Sequence, residues 1–303
     1  MQSDRIHSFL DSLEEATRWF ASLGLSSPHT AHAILKRLAS RGIPLDLIGT
    51  ICEQFEETAP HLADPDMALN NLERYIFAAR NPLSTTALFE RDKAALPNLL
   101  LMLNCSQKFS DQLCVDPESY DLLRMTEGLP VARQPLVEEL LDEVGVLGDR
   151  QDVLIALRRF KRRETLRIAY GDLVQNLPVA QIVRQISYVA DAVVEAALAF
   201  AEREVREKHY PVQRKNFVPP RFVVLALGKL GGLELNYSSD IDLVFLWQVA
   251  DADQGLSETE PQEYVNRVSQ LLIHLLTENT ELGNPYRVDT VSYTHLRAHE
   301  TDS

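Results

Sequence analysis

The spacing of apolar residues changes once along this chain, near Pro211, and that change limits the fold more than any other feature. Before it, apolar positions recur three and four apart, as on a helix that buries one face. After it come short apolar runs rich in β-branched residues and bounded by glycine and proline, as strands are. Helix after helix, then strand, turn and strand, predicts an α+β protein with a long helical region first.

The helical part reads as follows. Ile6, Leu10, Leu13 and Phe20 share a helical spacing, with Gly24 as its stop. A second helix is expected over 29–41, closing at Gly42 and Pro44, and a third over 45–58. Asp66 is placed as the cap of a fourth, which carries Leu69, Leu72, Tyr75 and Ile76 and ends before Pro82. More helix is expected over 86–116, broken around Pro97, then two longer helices over 151–174 and 179–208. The first of these holds Arg158, Arg159, Lys161, Arg162, Arg163 and Arg167. Such a run reads first as a solvated face beside Leu154, Leu157 and Ile168, and second as a surface for a phosphate or an acidic partner. Pro219-Pro220 is a stiff connector. Residues 222–227 are expected as a buried strand, 240–247 as a second, 261–281 as a helix and 286–289 as the start of a third strand.

Composition narrows the function. Of 303 residues, 44 are acidic and 30 basic, a net charge of −14. That surface repels a phosphate backbone and argues against broad nucleic-acid binding. Cys52, Cys105 and Cys114 are odd in number and lack a C-x-x-C pair, which reads as buried thiols in a reducing compartment. The N-terminus carries acids where a signal peptide needs an apolar run, and the most apolar stretch, 192–201, contains Glu195 and is too short to span a bilayer. A cytoplasmic protein with no membrane contact is expected.

The residues that carry chemistry follow the change of period. Asp240 and Asp242 are two apart on a predicted strand, so both side chains point to one side of the sheet. The rest of that strand is apolar, where unpaired carboxylates are costly to ionise. Bound Mg²⁺ removes the cost, and two such ions can clamp the attacking and leaving oxygens of a displacement at phosphorus. Gly228, Gly231 and Gly232 form a turn whose backbone N–H groups can approach phosphates, and Lys229 adds a positive charge. Ser238 and Ser239 precede the first aspartate as further hydrogen-bond donors to phosphate or as groups that orient the carboxylates. Asp-x-Asp or a glycine turn alone is weak; strand context, glycine pattern and a spacing of twelve residues from Gly228 to Asp240 together are not. This layout resembles the polymerase-beta-like nucleotidyltransferases.

The resemblance extends to one family. Ala-Leu-Gly-Lys-Leu-Gly-Gly-Leu-Glu-Leu-Asn-Tyr-Ser-Ser-Asp-Ile-Asp-Leu-Val-Phe-Leu, residues 226–246, resembles the signature of the glutamine synthetase adenylyltransferase / adenylyl-removing enzymes. Residues 157–169 resemble the helix before that family's catalytic domain, and 106–123 an earlier helical segment, so the likeness covers about 90–289. It implies a mostly helical N-terminal region (1–215), a polymerase-beta-like nucleotidyltransferase domain with a mixed sheet (216–289), and the N-terminal, AMP-removing half of a two-domain enzyme. It implies Asp240, Asp242 and Asp289 as catalytic metal ligands for two Mg²⁺ ions. Arg287, beside Asp289, reads equally as a phosphate contact and as a plain surface arginine. The implied reaction is phosphorolytic removal of AMP from a glutamine synthetase tyrosine, releasing ADP, with adenylylation from ATP by the complete bifunctional protein. The implied partners are glutamine synthetase, ATP or ADP, phosphate and a PII-type signalling protein. After Asp289 the family's Leu-Arg-Leu-Arg-Pro-like continuation is replaced by Thr-Val-Ser-Tyr-Thr-His-Leu-Arg-Ala-His-Glu-Thr-Asp-Ser. Residues 290–303 are therefore expected to be a non-native tail, and the catalytic domain a truncated one with little or no activity. The alternative is a catalytically incomplete helical module that binds glutamine synthetase or the signalling protein.

Overall fold

Short polar residues and prolines decide where the helices begin. In the computed structural model of the chain, which describes residues 3–210, 218–248, 259–279 and 286–292, α1 (Ser3–Asp11) ends at Ser12, whose hydroxyl accepts the Glu15 amide and opens α2 (Leu13–Ser22). The single helix expected from Ile6 to Phe20 is thus two, because such a cap stabilises a new start by about 1 kcal/mol. α3 (Pro28–Ser40) and α4 (Leu45–Thr58) lie where the spacing placed them. α5 (Pro65–Ala78) is capped by Asp64, which accepts the Met67 amide at 2.8 Å, rather than by Asp66. Proline favours the first helical position, so the cap is the residue before it. Asp66 instead accepts the amides of Ser26 and Ser27 at 2.6 and 3.0 Å. The stretch expected as one broken helix is three: α6 (Pro82–Arg91), α7 (Ala95–Cys105) and α8 (Gln107–Val115). Pro97 does not break it, because it falls in the first turn of α7, where its missing N–H has no partner to lose.

α9 (Ser119–Thr126), α10 (Arg133–Gly145), α11 (Arg150–Leu173) and α12 (Val179–His209) complete the long helical part. The chain packs as two compact units, one of Met1–Leu129 with Ala169–Leu177, the other of Pro130–Ile168 with Pro178–Ser303. The boundary expected at 215/216 lies outside the described residues, as does the expected tail beyond Ser292. Only Cys52 is a buried thiol; Cys105 is exposed and Cys114 half-buried, because α7 and α8 turn those positions away from the core. Among the described residues no helix is long and apolar enough to cross a membrane.

The basic run on α11 is not a uniform solvated face. Arg158 and Arg167 are buried. Arg158 donates to the carbonyls of Leu154 and Glu278, and Arg167 donates to Glu164 at 2.7 Å and to Gln185 at 3.0 Å. Arg159 pairs with Glu143, and Arg163 with Glu139 and Glu164. Six cations on successive turns of one helix cannot share a face, so acids and carbonyls of neighbouring elements take several of them inside.

Strands β1 (Arg221–Leu227), β2 (Ile241–Gln248) and β3 (Val288–Ser292) form a sheet in the order β1-β2-β3, antiparallel between the first pair and parallel between the second. The α+β class with a mixed sheet is what the sequence and its resemblance predict. β2 is the central strand, with Ile241, Leu243, Phe245 and Trp247 buried on one side. β1 is not the buried strand expected. Val223, Leu225 and Leu227 stand 49%, 43% and 48% exposed, because among the described residues β1 pairs only with β2 and these alternate residues share the sheet's open face. α14 (Thr259–Thr277) packs on α12 and β3.

Candidate active site

Strand register brings the acidic residues together. Asp242 is paired with Leu227 on one side and with Asp289 on the other, so both carboxylates rise from the same face of adjacent strands, roughly 5 Å apart in backbone spacing. Asp240 precedes β2 by one residue and is exposed, while Asp242 is half-buried and Asp289 exposed.

The glycine turn is shaped around one of these carboxylates. Chain leaving β1 enters α13 (Gly228–Gly231), a single helical turn closed by the Gly232 amide on the Gly228 carbonyl at 3.1 Å. Gly228 has φ +55°, a left-handed conformation, and a Cβ there would collide with Asp242 Oδ2. A Cβ on Gly231 would press on the Ala226 carbonyl, whereas one on Gly232 would make ordinary contacts. Lys229 is exposed at the same turn. The three glycines predicted as one phosphate loop therefore have different duties, and Gly228 is the one of them folded onto Asp242.

Ser238 and Ser239 belong to a turn that aims Asp240. The Asn236 amide donates to Ser239 Oγ at 3.2 Å, the Ser239 amide to the Asn236 carbonyl at 3.3 Å, and the Ser238 amide to Asn236 Oδ1 at 3.0 Å. Ser187 on α12 anchors this loop, its hydroxyl accepting the buried Leu235 amide at 3.1 Å. On the other flank Tyr286 is buried, its amide donating to the Leu276 carbonyl at 3.0 Å and its ring lying 3.6 Å beneath Lys161 Nζ. Burial pushes the Tyr286 hydroxyl well above the usual tyrosine range. Sequence reasoning missed Ser187, Lys161 and Tyr286 as positioning residues. Only Tyr286, a lone aromatic just before Arg287-Val-Asp289, carried a local signal.

Arg287 lies across the site. Its Nε donates to Asp240 Oδ1 at 2.7 Å, with both side chains largely in solvent. The Arg287 carbonyl accepts the Ile241 amide at 3.0 Å, which fixes its backbone to β2. Carboxylate oxygens are the ligands Mg²⁺ takes, and the Asp242–Asp289 pair suits one. Asp240, however, is held by the guanidinium. Among the described residues no three His, Cys, Asp or Glu side chains gather closely enough to hold a metal ion. A cavity of about 470 Å³ lies in the first unit and is lined by Tyr75, Asn81, Ser84, Arg91 and Asp121 among others. No aspartate of the open sheet face lines it, so chemistry and not size identifies the candidate site.

Comparison with known proteins bears on the same segment. Residues 96–297 match the family described as glutamate-ammonia ligase adenylyltransferase. The bifunctional glutamine synthetase adenylyltransferase/adenylyl-removing enzyme of Pseudomonas putida is 29% identical over 299 residues, 91% of this chain and 30% of the relative. Its counterpart of the same name from Vibrio parahaemolyticus is 33% identical over 238 residues, 75% of this chain and 25% of the relative. That of Pseudomonas syringae is 29% identical over 235 residues. The chain thus spans less than a third of the length of these curated relatives. With two-thirds of its residues inside the family match and the signature strand pair at the site just described, the chain belongs to the glutamate-ammonia ligase adenylyltransferase family.

Proposed function

We propose that this chain carries a metal-dependent nucleotidyl-transfer site acting on glutamine synthetase, and that its direction is phosphorolytic removal of AMP from an adenylylated tyrosine. The observation that carries the reading is the register of Asp242 against Asp289 with Gly228 folded onto the Asp242 carboxylate. Relatives whose names state both adenylyl transfer and adenylyl removal support the substrate and the reaction class. The long helical preface ahead of the motif supports removal over attachment, by its resemblance to the N-terminal half of that family.

In this reading Asp242 and Asp289 would hold Mg²⁺, with Asp240 as the further ligand, and two ions are proposed. Bound Mg²⁺ supplies charge neutralisation at the phosphorus under attack. Lys229 and the backbone of the Gly228 turn orient the phosphate groups. Phosphate oxygen forms the new bond to the AMP phosphorus, the bond to the tyrosyl oxygen breaks, and the proton given up by phosphate returns to that oxygen. ADP and free tyrosine result, with atoms and charge in balance. The acidic surface fits a protein-borne nucleotide better than a nucleic acid. A PII-type signalling protein is proposed as a regulatory partner on the strength of the family alone, and a cytoplasmic location goes with it.

The test follows ADP release from adenylylated glutamine synthetase in the presence of inorganic phosphate and Mg²⁺. It is run with this chain and with the chain extended to the length of its relatives. ADP formation that requires phosphate and falls at least about a hundredfold in Asp240→Asn/Asp242→Asn is expected for the extended chain, with little or none from the 303 residues alone. AMP transfer from ATP onto unmodified glutamine synthetase, with no phosphorolysis, reverses the assigned direction. Turnover untouched by the double substitution removes the site.

A further inference from the structure

A cleft of about 220 Å³ lies between three helices of the second unit, at the start of α11, the end of α12 and the middle of α14. Among the described residues no strand and no carboxylate lines it. Four of its seven lining residues carry guanidinium or imidazole groups: Arg150, His209, Arg267 and His274. Gln270 adds an amide. Acids outnumber bases 44 to 30 along the chain, so this wall runs against the balance of the whole surface.

Neighbouring acids fix the two arginines without using them up. Buried Glu204 accepts Arg150 Nε at 2.7 Å and Arg150 Nη2, and its same oxygen accepts Lys208 Nζ at 2.8 Å. Glu263 accepts Arg267 Nε and Nη2 at 3.2 and 2.6 Å. Each guanidinium is thereby oriented, and in each Nη1 remains. That of Arg150 meets no acceptor among the described residues. That of Arg267 faces His209 Nε2 at 3.4 Å, which is long for a hydrogen bond. Such a contact is a poor one, since the imidazole accepts only while neutral. An oxyanion set between the two takes donors from both.

Size and geometry narrow the ligand. The cleft is smaller than the roughly 300 Å³ at which sites for drug-sized molecules begin. A phosphate group offers several acceptor oxygens to donors that converge from three helices, and arginine forks are shaped for it. We propose that this cleft is a phosphate site apart from the sheet, with Arg150, His209 and Arg267 as its donors. It takes inorganic phosphate or the phosphate end of a small ester, and it ties α11, α12 and α14 together when filled. The site is independent of the reaction assigned above. Arg150 and Arg267 are 46% and 39% exposed, so screening keeps the affinity modest, with Kd expected near about 1 mM at low salt.

The probe is inorganic phosphate, followed by ¹H–¹⁵N NMR on the whole 303-residue chain. EDTA is present so that no divalent ion loads, and NaCl holds the ionic strength at about 0.05 M. Phosphate is expected to shift amides of α11, α12 and α14 in a saturable way. Arg267→Gln, whose partner Glu263 is exposed, is expected to weaken binding at least about fivefold, and Arg150→Gln/Arg267→Gln to abolish it. Asp242→Asn on the sheet and Arg159→Gln elsewhere on α11 are expected to leave Kd within about twofold. AMP that binds more tightly than inorganic phosphate, and depends equally on Arg267, assigns the site to an ester; weaker AMP binding assigns it to the free ion. Circular dichroism checks that each variant is folded. Shifts no larger than those from added chloride overturn the proposal, as does phosphate binding that Arg267→Gln leaves unchanged. Binding lost in Asp242→Asn but kept in Arg267→Gln puts the phosphate on the sheet and equally overturns it.

Discussion

Gly228 shows how much one backbone atom's neighbourhood decides. A methyl group there would collide with Asp242 Oδ2, and the left-handed φ adds a strain of about 1–2 kcal/mol for any side chain. Gly228→Ala is therefore expected to lower Mn²⁺ affinity at least about tenfold while Tm falls by about 2–8 °C, measured by Mn²⁺ titration and by thermal unfolding. Gly232→Ala, whose new Cβ would lie 3.5 Å from its nearest neighbour, is expected to leave both nearly unchanged. The two glycines look alike in the sequence, because a turn written Gly-Lys-Leu-Gly-Gly does not say which residue faces the following strand. The aspartates were legible as a pair two apart at the start of an expected strand, although β2 begins one residue after Asp240. Their true partners were not. Asp240 meets Arg287 across the sheet, a neighbour 47 residues away in the chain.

At the scale of an element, α11 separates what periodicity tells from what packing tells. Its existence and length were readable, and its bounds differ from the expected ones by one residue at each end. The fate of its arginines was not, because charge alone does not say which neighbours carry acids. Arg167 and Glu164 are 8% and 6% exposed, whereas Arg159 is 71% exposed. Arg167→Met removes one of the two guanidinium partners of buried Glu164, leaving Arg163 on the other oxygen, and is expected to destabilise the protein by about 1–3 kcal/mol in urea unfolding, with Glu164→Leu/Arg167→Met recovering part of the loss. Arg159→Met is expected to change stability by less than about 0.5 kcal/mol. Equal losses from both arginines would mean that burial does not govern this helix. β1 makes the complementary point. Its apolar, β-branched run marked a strand, but only the sheet order shows that, among the described residues, it pairs with β2 alone and leaves Val223, Leu225 and Leu227 open.

Across the whole molecule, charge links stability to pH. The Asp92 carboxyl is held below its ordinary range chiefly by the Arg124 hydrogen bond, and Asp111 likewise by Arg74. Burial pushes Glu204 up, but hydrogen bonds from Arg150 and Lys208 outweigh it and leave it lowered. Each of these groups takes up its proton at lower pH in the folded chain than in the unfolded one. Their contribution is complete above the ordinary carboxylate range and is lost as pH falls through the lowered folded values. Tm is expected to hold between about pH 6 and 8 and to drop steeply below about pH 4, and Asp92→Asn to make that drop shallower. An acid limb unchanged by Asp92→Asn would count against this account. The sequence by itself determined the α+β class, most helices and the family, because these depend on residue type and short spacing. Tertiary structure decided the rest: the division into two units, the buried arginines, the glycine pressed on Asp242, and the arginine lying on Asp240. Each of those depends on which distant residues share a surface, and contact across strands and helices is fixed by register and packing rather than by any local pattern.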